Sequence, residues 1–145
     1  MSAFWERWLA GWCLAVAGFG AILVGAAYEA TSAPTILVYR LLGGGELALH
    51  GPLRFSIALI GAVTLGWSLS LWAAIRGALM LGVRGRMIWR MLTVNVTCWY
   101  VIDSALSVVT GFPANVLPNT LFAAAFLLPV WRSGVLRAAG GTRTA

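Results

Sequence analysis

Apolar residues run through this chain in four long stretches, at about residues 8–28, 55–76, 90–111 and 117–137, and charged side chains lie mainly near the ends of these stretches. An α-helix rises 1.5 Å per residue, so about 20 apolar residues cross a hydrocarbon core about 30 Å thick. The pattern predicts an all-α fold with one domain over residues 1–137, a four-helix transmembrane bundle. Residues 138–145 are predicted to form a disordered tail.

The longest connection, residues 29–54, follows the first predicted span. It contains Pro34, three successive glycines and Gly51-Pro52, and its apolar run at 36–42 is too short to cross a membrane. We expect a longer outer loop that holds a short helix lying on the interface. The loop could act as a lid over the bundle or be a passive connection.

The distribution of charge predicts the topology. Arg76, Arg84, Arg86 and Arg90 crowd the connection between the second and third spans, whereas residues 111–118 carry no charge. Connections rich in arginine stay in the cytoplasm, so an even number of spans places both termini there. An aromatic belt is predicted at the cytoplasmic interface from six tryptophans: Trp5, Trp8, Trp12, Trp72, Trp89 and Trp131.

The composition agrees with a membrane protein. Hydrophobic residues make up 61% of the chain and charged residues 10%, with a mean hydropathy of +0.89, whereas soluble domains carry about 25% charged residues. The net charge of +6 comes from ten arginines and no lysine. Because the arginines lie at the ends of apolar runs, they indicate membrane topology and not a nucleic-acid partner.

Few residues offer chemistry. The two cysteines, Cys13 and Cys98, form no CxxC pair, and a single histidine cannot assemble a metal cluster. No phosphate-loop, dinucleotide or metalloprotease motif is present. We therefore predict no cofactor, no metal and no catalytic residue.

Small residues line one face of the first span, at Gly11, Ala15, Gly18 and Gly25. Small side chains let a neighbouring backbone approach closely, which is how membrane helices associate without a hydrophobic driving force. The face is predicted to pack against another helix of the same chain. A dimerisation seam is the alternative.

Asp103 is the acidic residue that the span assignment places inside the membrane. It lies about one helical turn, or about 5 Å, from the centre of the third span toward the outer side. A buried acid there costs about 3 kcal/mol, so it is expected to pair with another group or to mark an ion or substrate path. Arg54 or His50 could pair with it as a carboxylate, and Thr64 could bond it as a neutral acid.

A polar stripe on the third span contains this aspartate, and asparagines follow in the next connection, where Asn115 or Asn119 could cap the fourth helix. The stripe is either helix-packing glue or the wall of a small polar cavity that opens outward and is closed by the asparagines and the 29–54 loop. The complete candidate polar site is Asp103, Trp99, Asn95, Ser107, Thr64, Arg54, Asn115 and Asn119.

The pattern Trp-x3-Asp-x3-Ser-x3-Gly-x3-Asn-x3-Asn over Trp99–Asn119, after a small-residue span and a basic turn, resembles a group of small bacterial four-helix inner-membrane proteins without an assigned activity. The resemblance implies a location in the bacterial inner membrane. It brings no catalytic residue to this chain.

Three functions follow as expectations. The first is a non-enzymatic accessory or scaffold subunit, or a binder of an apolar ligand such as a lipid, quinone or pigment, with the bilayer and a membrane-protein partner or second copy as partners. The second is a small proton-coupled transporter that uses Asp103; it would resemble small multidrug exporters in size, although their acid lies in the first span. The third is an enzyme combining Asp103 with His50, Arg54 and Tyr39.

Overall fold

The computed structural model describes residues 1–43, 45 and 47–137, and this part of the chain contains helices and no strand. The α-helices are α1 (Ala3–Val24), α2 (Ala33–Leu41), α3 (Gly51–Leu81), α4 (Arg86–Val109) and α5 (Val116–Arg132). The all-α prediction is therefore confirmed. The predicted disordered tail, residues 138–145, lies outside the described residues.

Three helical stretches, and not four, are long and apolar enough to cross a membrane: Ala3–Ala27, Gly51–Val109 and Pro113–Arg132. The predicted second and third spans fall in one stretch of 59 residues because a short 3-10 turn, Gly82–Gly85, joins their helices without a break. The chain nevertheless folds back at this turn. Trp67 of α3 packs against Trp99 of α4 with ring centroids 5.6 Å apart, which two helices continuing in one direction could not do.

The connection between α1 and α3 holds a short helix, as its apolar run predicts, and is fixed to the end of α1. The helix begins at Ala33 because Pro34 suits the first helical turn. The Thr35 hydroxyl donates to the Ile22 carbonyl oxygen at 2.7 Å, and the Arg54 guanidinium donates to the Ala26 carbonyl oxygen at 3.0 Å. These bonds satisfy carbonyl groups that the end of a helix leaves without partners.

α1 and α3 approach most closely at two glycines. A Cβ added to Gly61 would lie 2.5 Å from the Val24 nitrogen and 2.7 Å from the Gly20 oxygen. The predicted internal packing of the small-residue face is wrong at Gly11 and Gly18, where an added Cβ would meet nothing within 4 Å, whereas a Cβ added to Gly25 would lie 2.8 Å from the Thr31 oxygen. A different face of α1 points inward, because its bulky side chains from Leu9 to Val16 are buried there and Gly20 and Leu23 continue that face to the crossing with α3.

The main core lies between α1, α3, α4 and α5. Its buried members are Leu9, Trp12, Cys13, Val16, Leu71, Ile75, Ala78, Trp89, Leu92, Val96, Ala123, Phe126 and Val130. Trp12 and Trp89, which were predicted to belong to the aromatic belt, are buried in this core, and Trp89 is 1% exposed. A smaller cluster of Leu23, Ala26 and Ile57 lies near the α1–α3 connection.

Two tryptophans of α1 hydrogen-bond to the backbone of α5. Pro129 has no N–H group, so the Ala125 carbonyl lacks its partner within α5. The Trp8 indole Nε1 donates to that oxygen at 2.8 Å, and the Trp12 indole Nε1 donates to the Phe122 carbonyl oxygen at 2.9 Å. The proline thus supplies α1 with an acceptor that a regular helix would use internally.

The arginines are unevenly distributed between the two ends of the folded chain. Met1, Gly82 and Arg137 line one cleft, so the start of α1, the α3–α4 turn and the segment after α5 meet at the same end. We name this the arginine-rich end. It comprises seven arginines of the described chain: Arg7, Arg76, Arg84, Arg86, Arg90, Arg132 and Arg137.

Candidate polar site at the turn between α4 and α5

A polar network surrounds Asp103 at the end of α4 that is opposite the arginine-rich end. Asp103 precedes the end of α4 at Val109 by six residues, or about 9 Å along the helix axis. Its Oδ1 atom accepts hydrogen bonds from Asn119 Nδ2 at 2.9 Å, Asn115 Nδ2 at 3.0 Å and Ser107 Oγ at 3.2 Å. One carboxyl oxygen therefore joins α4 to both asparagines of the following segment.

The local sequence explains this arrangement. Asp103 and Ser107 are four residues apart on α4, and Asn115 and Asn119 are four apart at the start of α5, so each pair shares one helix face. Between them Gly111 adopts a φ of 87°, in the left-handed region that favours glycine. The chain reverses there, and the two polar faces meet.

The prediction that an asparagine caps α5 is wrong. Asn115 occupies the N-cap position, but its side chain makes no cap hydrogen bond. Its Nδ2 instead donates to Asp103 Oδ1 and to Ser107 Oγ, the latter at 2.9 Å. The amide is directed back at α4 because a carboxyl oxygen is a strong acceptor for its N–H groups.

The two oxygens of Asp103 have different surroundings. Asn119 and Ser107 are 6% and 7% exposed, whereas Asp103 itself is half-buried. Within the described chain, the donors to this carboxyl all bond Oδ1, and no buried side-chain nitrogen or oxygen lacks a partner. Oδ2 is therefore not fully enclosed by the described residues.

Three residues predicted to pair with Asp103 make no described hydrogen bond to it. Arg54 donates through Nε to the Leu49 carbonyl oxygen and through Nη1 to the Ala26 carbonyl oxygen. Both carbonyls belong to segments that end nearby and leave them without a backbone partner among the described residues. The Thr64 hydroxyl donates to the Ile60 carbonyl of its own helix at 2.8 Å, a common arrangement for a helical threonine. His50 likewise donates no hydrogen bond to this carboxyl among the described contacts.

The predicted stripe on α4 divides between two neighbours. Asn95 Oδ1 accepts a hydrogen bond from the Trp67 indole at 3.1 Å, and Trp99 packs on the same indole. Positions four apart rotate by about 40° per step, so Asn95 and Trp99 face α3 while Asp103 and Ser107 face α5. A single cavity wall is not formed.

Two further residues join these contacts without having been predicted. Ser104 Oγ accepts from Asn119 Nδ2 at 3.4 Å, beside Asp103. Trp67 contacts the other two residues of the stripe, Asn95 and Trp99. The sequence could have indicated this contact, because Trp67 and Trp99 lie at similar distances along the chain from Gly82–Gly85. Antiparallel helices joined by a short turn bring such positions together.

The connection between α1 and α3 reaches the turn that carries Asn115. Tyr39 of α2 packs edge-on against Phe112, with ring centroids 6.1 Å apart and an interplanar angle of 88°. Burial raises the pKa of the Tyr39 phenol above its ordinary value. The loop therefore packs against the α4–α5 turn.

No family model matches this chain, and searches of curated proteins and of solved structures find no match. Across the described residues, no three histidine, cysteine, aspartate or glutamate side chains gather as a metal site would require. The geometry of the Asp103 network is therefore the basis for assigning a role. The network can hold two helices together, and its carboxyl group can take up a proton.

Proposed function

We propose that this chain is a multi-pass protein of the bacterial inner membrane with four spans and both termini in the cytoplasm. The gathering of seven arginines at one end supports this orientation, because arginine-rich connections remain cytoplasmic. At the opposite end, the α4–α5 turn carries no charge. The resemblance of Trp99–Asn119 to small four-helix inner-membrane proteins agrees with the same placement.

The count of four spans is supported by the fold-back at Gly82–Gly85. α3 has 31 residues and α4 has 24. A span requires about 20 residues, so each helix is long enough to cross the membrane alone. The contact between Trp67 and Trp99 requires the two helices to run side by side. Under this proposal the stretch of 59 residues crosses the bilayer twice.

Within that membrane, we propose a non-enzymatic role as an accessory or scaffold subunit. The observation that carries the proposal is the pair of hydrogen bonds that Asp103 Oδ1 accepts from Asn115 and Asn119, which use the acid of α4 to fasten the start of α5. Polar residues in membrane helices often serve in this way. The partners proposed are the lipid bilayer together with another membrane protein or a second copy.

Binding of an apolar ligand is the other form of this proposal. An open cleft of about 230 Å³ lies between α3 and α4, and its lining includes Leu71, Ala74 and Met91. Trp67 and Asn95, hydrogen-bonded to each other, supply its polar edge. Such a surface suits part of a lipid, a quinone or a pigment tail.

The scaffold proposal is tested by two substitutions of one residue. Asp103→Asn keeps an oxygen that can accept the three hydrogen bonds, so we expect insertion and unfolding free energy to stay near those of the wild type. Asp103→Ala removes the side-chain acceptor of the buried Asn119 amide, while the Ser107 hydroxyl keeps its 2.7 Å hydrogen bond to the backbone oxygen of residue 103, and we expect the variant to lose about 2 kcal/mol. Equilibrium unfolding in bicelles, followed by tryptophan fluorescence, measures both. Equal losses in the two variants would contradict the fastening role.

The incompletely enclosed Oδ2 favours a second candidate, a small proton-coupled transporter in which Asp103 takes up and releases a proton at that oxygen. Proteoliposomes with an imposed pH gradient and an internal pH dye test it. The transporter predicts a substrate-dependent proton flux that Asp103→Asn abolishes without unfolding the chain. The scaffold predicts the same dye response in the wild type, the variant and empty vesicles.

A further inference from the structure

A cleft at the arginine-rich end has the lining of a headgroup site. It has a volume of about 390 Å³ and lies between the Gly82–Gly85 turn and the segment that follows α5. Arg86, directly after the turn, and Arg137, in the segment after α5, line the cleft, while Leu79 and Val83 contribute apolar walls. We propose that this cleft binds the phosphate group of an anionic phospholipid.

The backbone after α5 is shaped so that Arg137 returns to the cleft. Gly134 has a φ of 67°, a left-handed conformation that ends the helix and favours glycine. The Arg137 N–H then donates to the Gly134 carbonyl oxygen at 2.9 Å. A Cβ added to Gly134 would lie 3.6 Å from Arg137 Cδ, so the arginine side chain packs along this turn.

The chemistry of the lining selects a phosphate diester with an attached glycerol and acyl chains. Guanidinium groups bind phosphate oxygens with paired hydrogen bonds, so two of them can hold one phosphate from both sides. The partly exposed Leu79 and the exposed Val83 offer the adjoining surface to hydrocarbon, whereas the Trp89 ring is buried. Basic pockets between helices on the cytoplasmic side of a membrane bind anionic headgroups in this manner.

The charge balance at this end also favours an anionic lipid. Glu6 is the described acidic residue that accompanies the seven arginines there. A phosphatidylcholine headgroup brings its own cation next to Arg86 and Arg137, whereas a phosphatidylglycerol headgroup does not. We therefore expect phosphatidylglycerol to bind in preference to phosphatidylcholine.

This site goes beyond the role proposed for Asp103, although it rests on the same membrane placement. Arg86 and Asp103 are 17 residues apart on α4, or about 26 Å along the axis. Substitutions at Asp103 should leave lipid binding unchanged, and substitutions in the cleft should leave the α4–α5 network unchanged. Failure of either proposal is therefore distinguishable from failure of the other.

The test uses the full chain, delipidated in a neutral detergent and titrated with phosphatidylglycerol, phosphatidylcholine or inorganic phosphate while native mass spectrometry counts the bound molecules. We expect Arg86→Gln and Arg137→Gln each to weaken phosphatidylglycerol binding about fivefold, the effect of about 1 kcal/mol per basic residue at an anionic surface. Arg84→Gln and Arg90→Gln are the matched controls: both residues are exposed at the same end and do not line the cleft. The controls should stay within about twofold of the wild type.

Three results would overturn the proposal: equal affinity for the two lipids, equal losses in the control variants, or binding of inorganic phosphate as tight as that of phosphatidylglycerol. The last result would assign the cleft to free phosphate. Circular dichroism checks that each variant keeps its helices. If Arg86→Gln disturbs them, the exposed Arg137 carries the test, because its replacement removes no buried contact.

Discussion

The α1–α3 pair and the α4–α5 pair are held together by opposite means. At the first, Gly20 and Gly61 let two backbones touch, and nothing larger than hydrogen fits between them. At the second, Asp103 draws in amide groups from across the interface. In lipid, neither apolar burial nor water drives helices together, so close packing and polar pairing are the available forces.

The difference teaches which changes each interface can tolerate. The glycine contact depends on the absence of side-chain atoms, so adding an atom disrupts it, and glycine has no side chain that a substitution could truncate. The polar contact is defined by donors and one acceptor, so it fails when a partner is deleted. The two interfaces should therefore respond oppositely to enlarging and to truncating substitutions.

The largest effect is expected from enlarging the glycine contact. Gly61→Val would press a side chain into the backbone of α1, where an added Cβ alone would lie 2.5 Å from the Val24 nitrogen. We expect a loss of about 3 kcal/mol in unfolding free energy, the upper range for overpacking. Gly66→Val is the control on the same helix, since its added Cβ would meet nothing within 4 Å. Unfolding in bicelles measures both, and similar losses would show that valine propensity, and not the crossing, is responsible.

A smaller effect is expected from deleting a donor at the polar contact. Asn119→Ala removes the 2.9 Å hydrogen bond to Asp103 Oδ1, and we expect a cost of about 1.5 kcal/mol. Thr110→Ala is the control, because that exposed hydroxyl donates to the Leu106 carbonyl of its own helix. The same unfolding assay applies. A control loss as large as that of Asn119→Ala would remove the distinction between a bond across helices and one within a helix.

The smallest effect is expected where α1 meets α5. Trp8→Phe removes an indole donor from the Ala125 carbonyl and should cost about 0.6 kcal/mol, the average for hydrogen bonds between membrane helices. In a Pro129→Ala background the new N–H can bond that carbonyl, so the same substitution should cost nearly nothing. A double-mutant cycle measures the difference. Additive losses would indicate that the proline and the indole act independently.

The sequence predicts the helices better than the contacts between them. Run length and charge decide where a helix can lie, so α1, α3, α4 and α5 were located closely. The rotation of each helix depends on the shape of its neighbour, which no single stretch records. For this reason the sequence pattern predicts packing at Gly11 and Gly18, whereas the close contact lies at Gly20.

The candidate site was predicted in part for the same reason. Spacing alone associates Asp103 with Ser107, and the short turn brings Asn115 and Asn119 near. The direction of Arg54 could not be inferred, because its acceptors are backbone carbonyls freed by the way the preceding segments end. Every residue has a backbone carbonyl, so residue identities do not show which carbonyl will accept a side-chain hydrogen bond.

The bond between Trp8 and the Ala125 carbonyl has a consequence for biogenesis. It joins residues 117 positions apart, so Trp8 can meet its acceptor only after the ribosome has synthesised the helices that lie between them. This contact therefore forms after α3 and α4 have been synthesised, and a chain truncated before α5 should lack it while keeping the contact between Gly20 and Gly61.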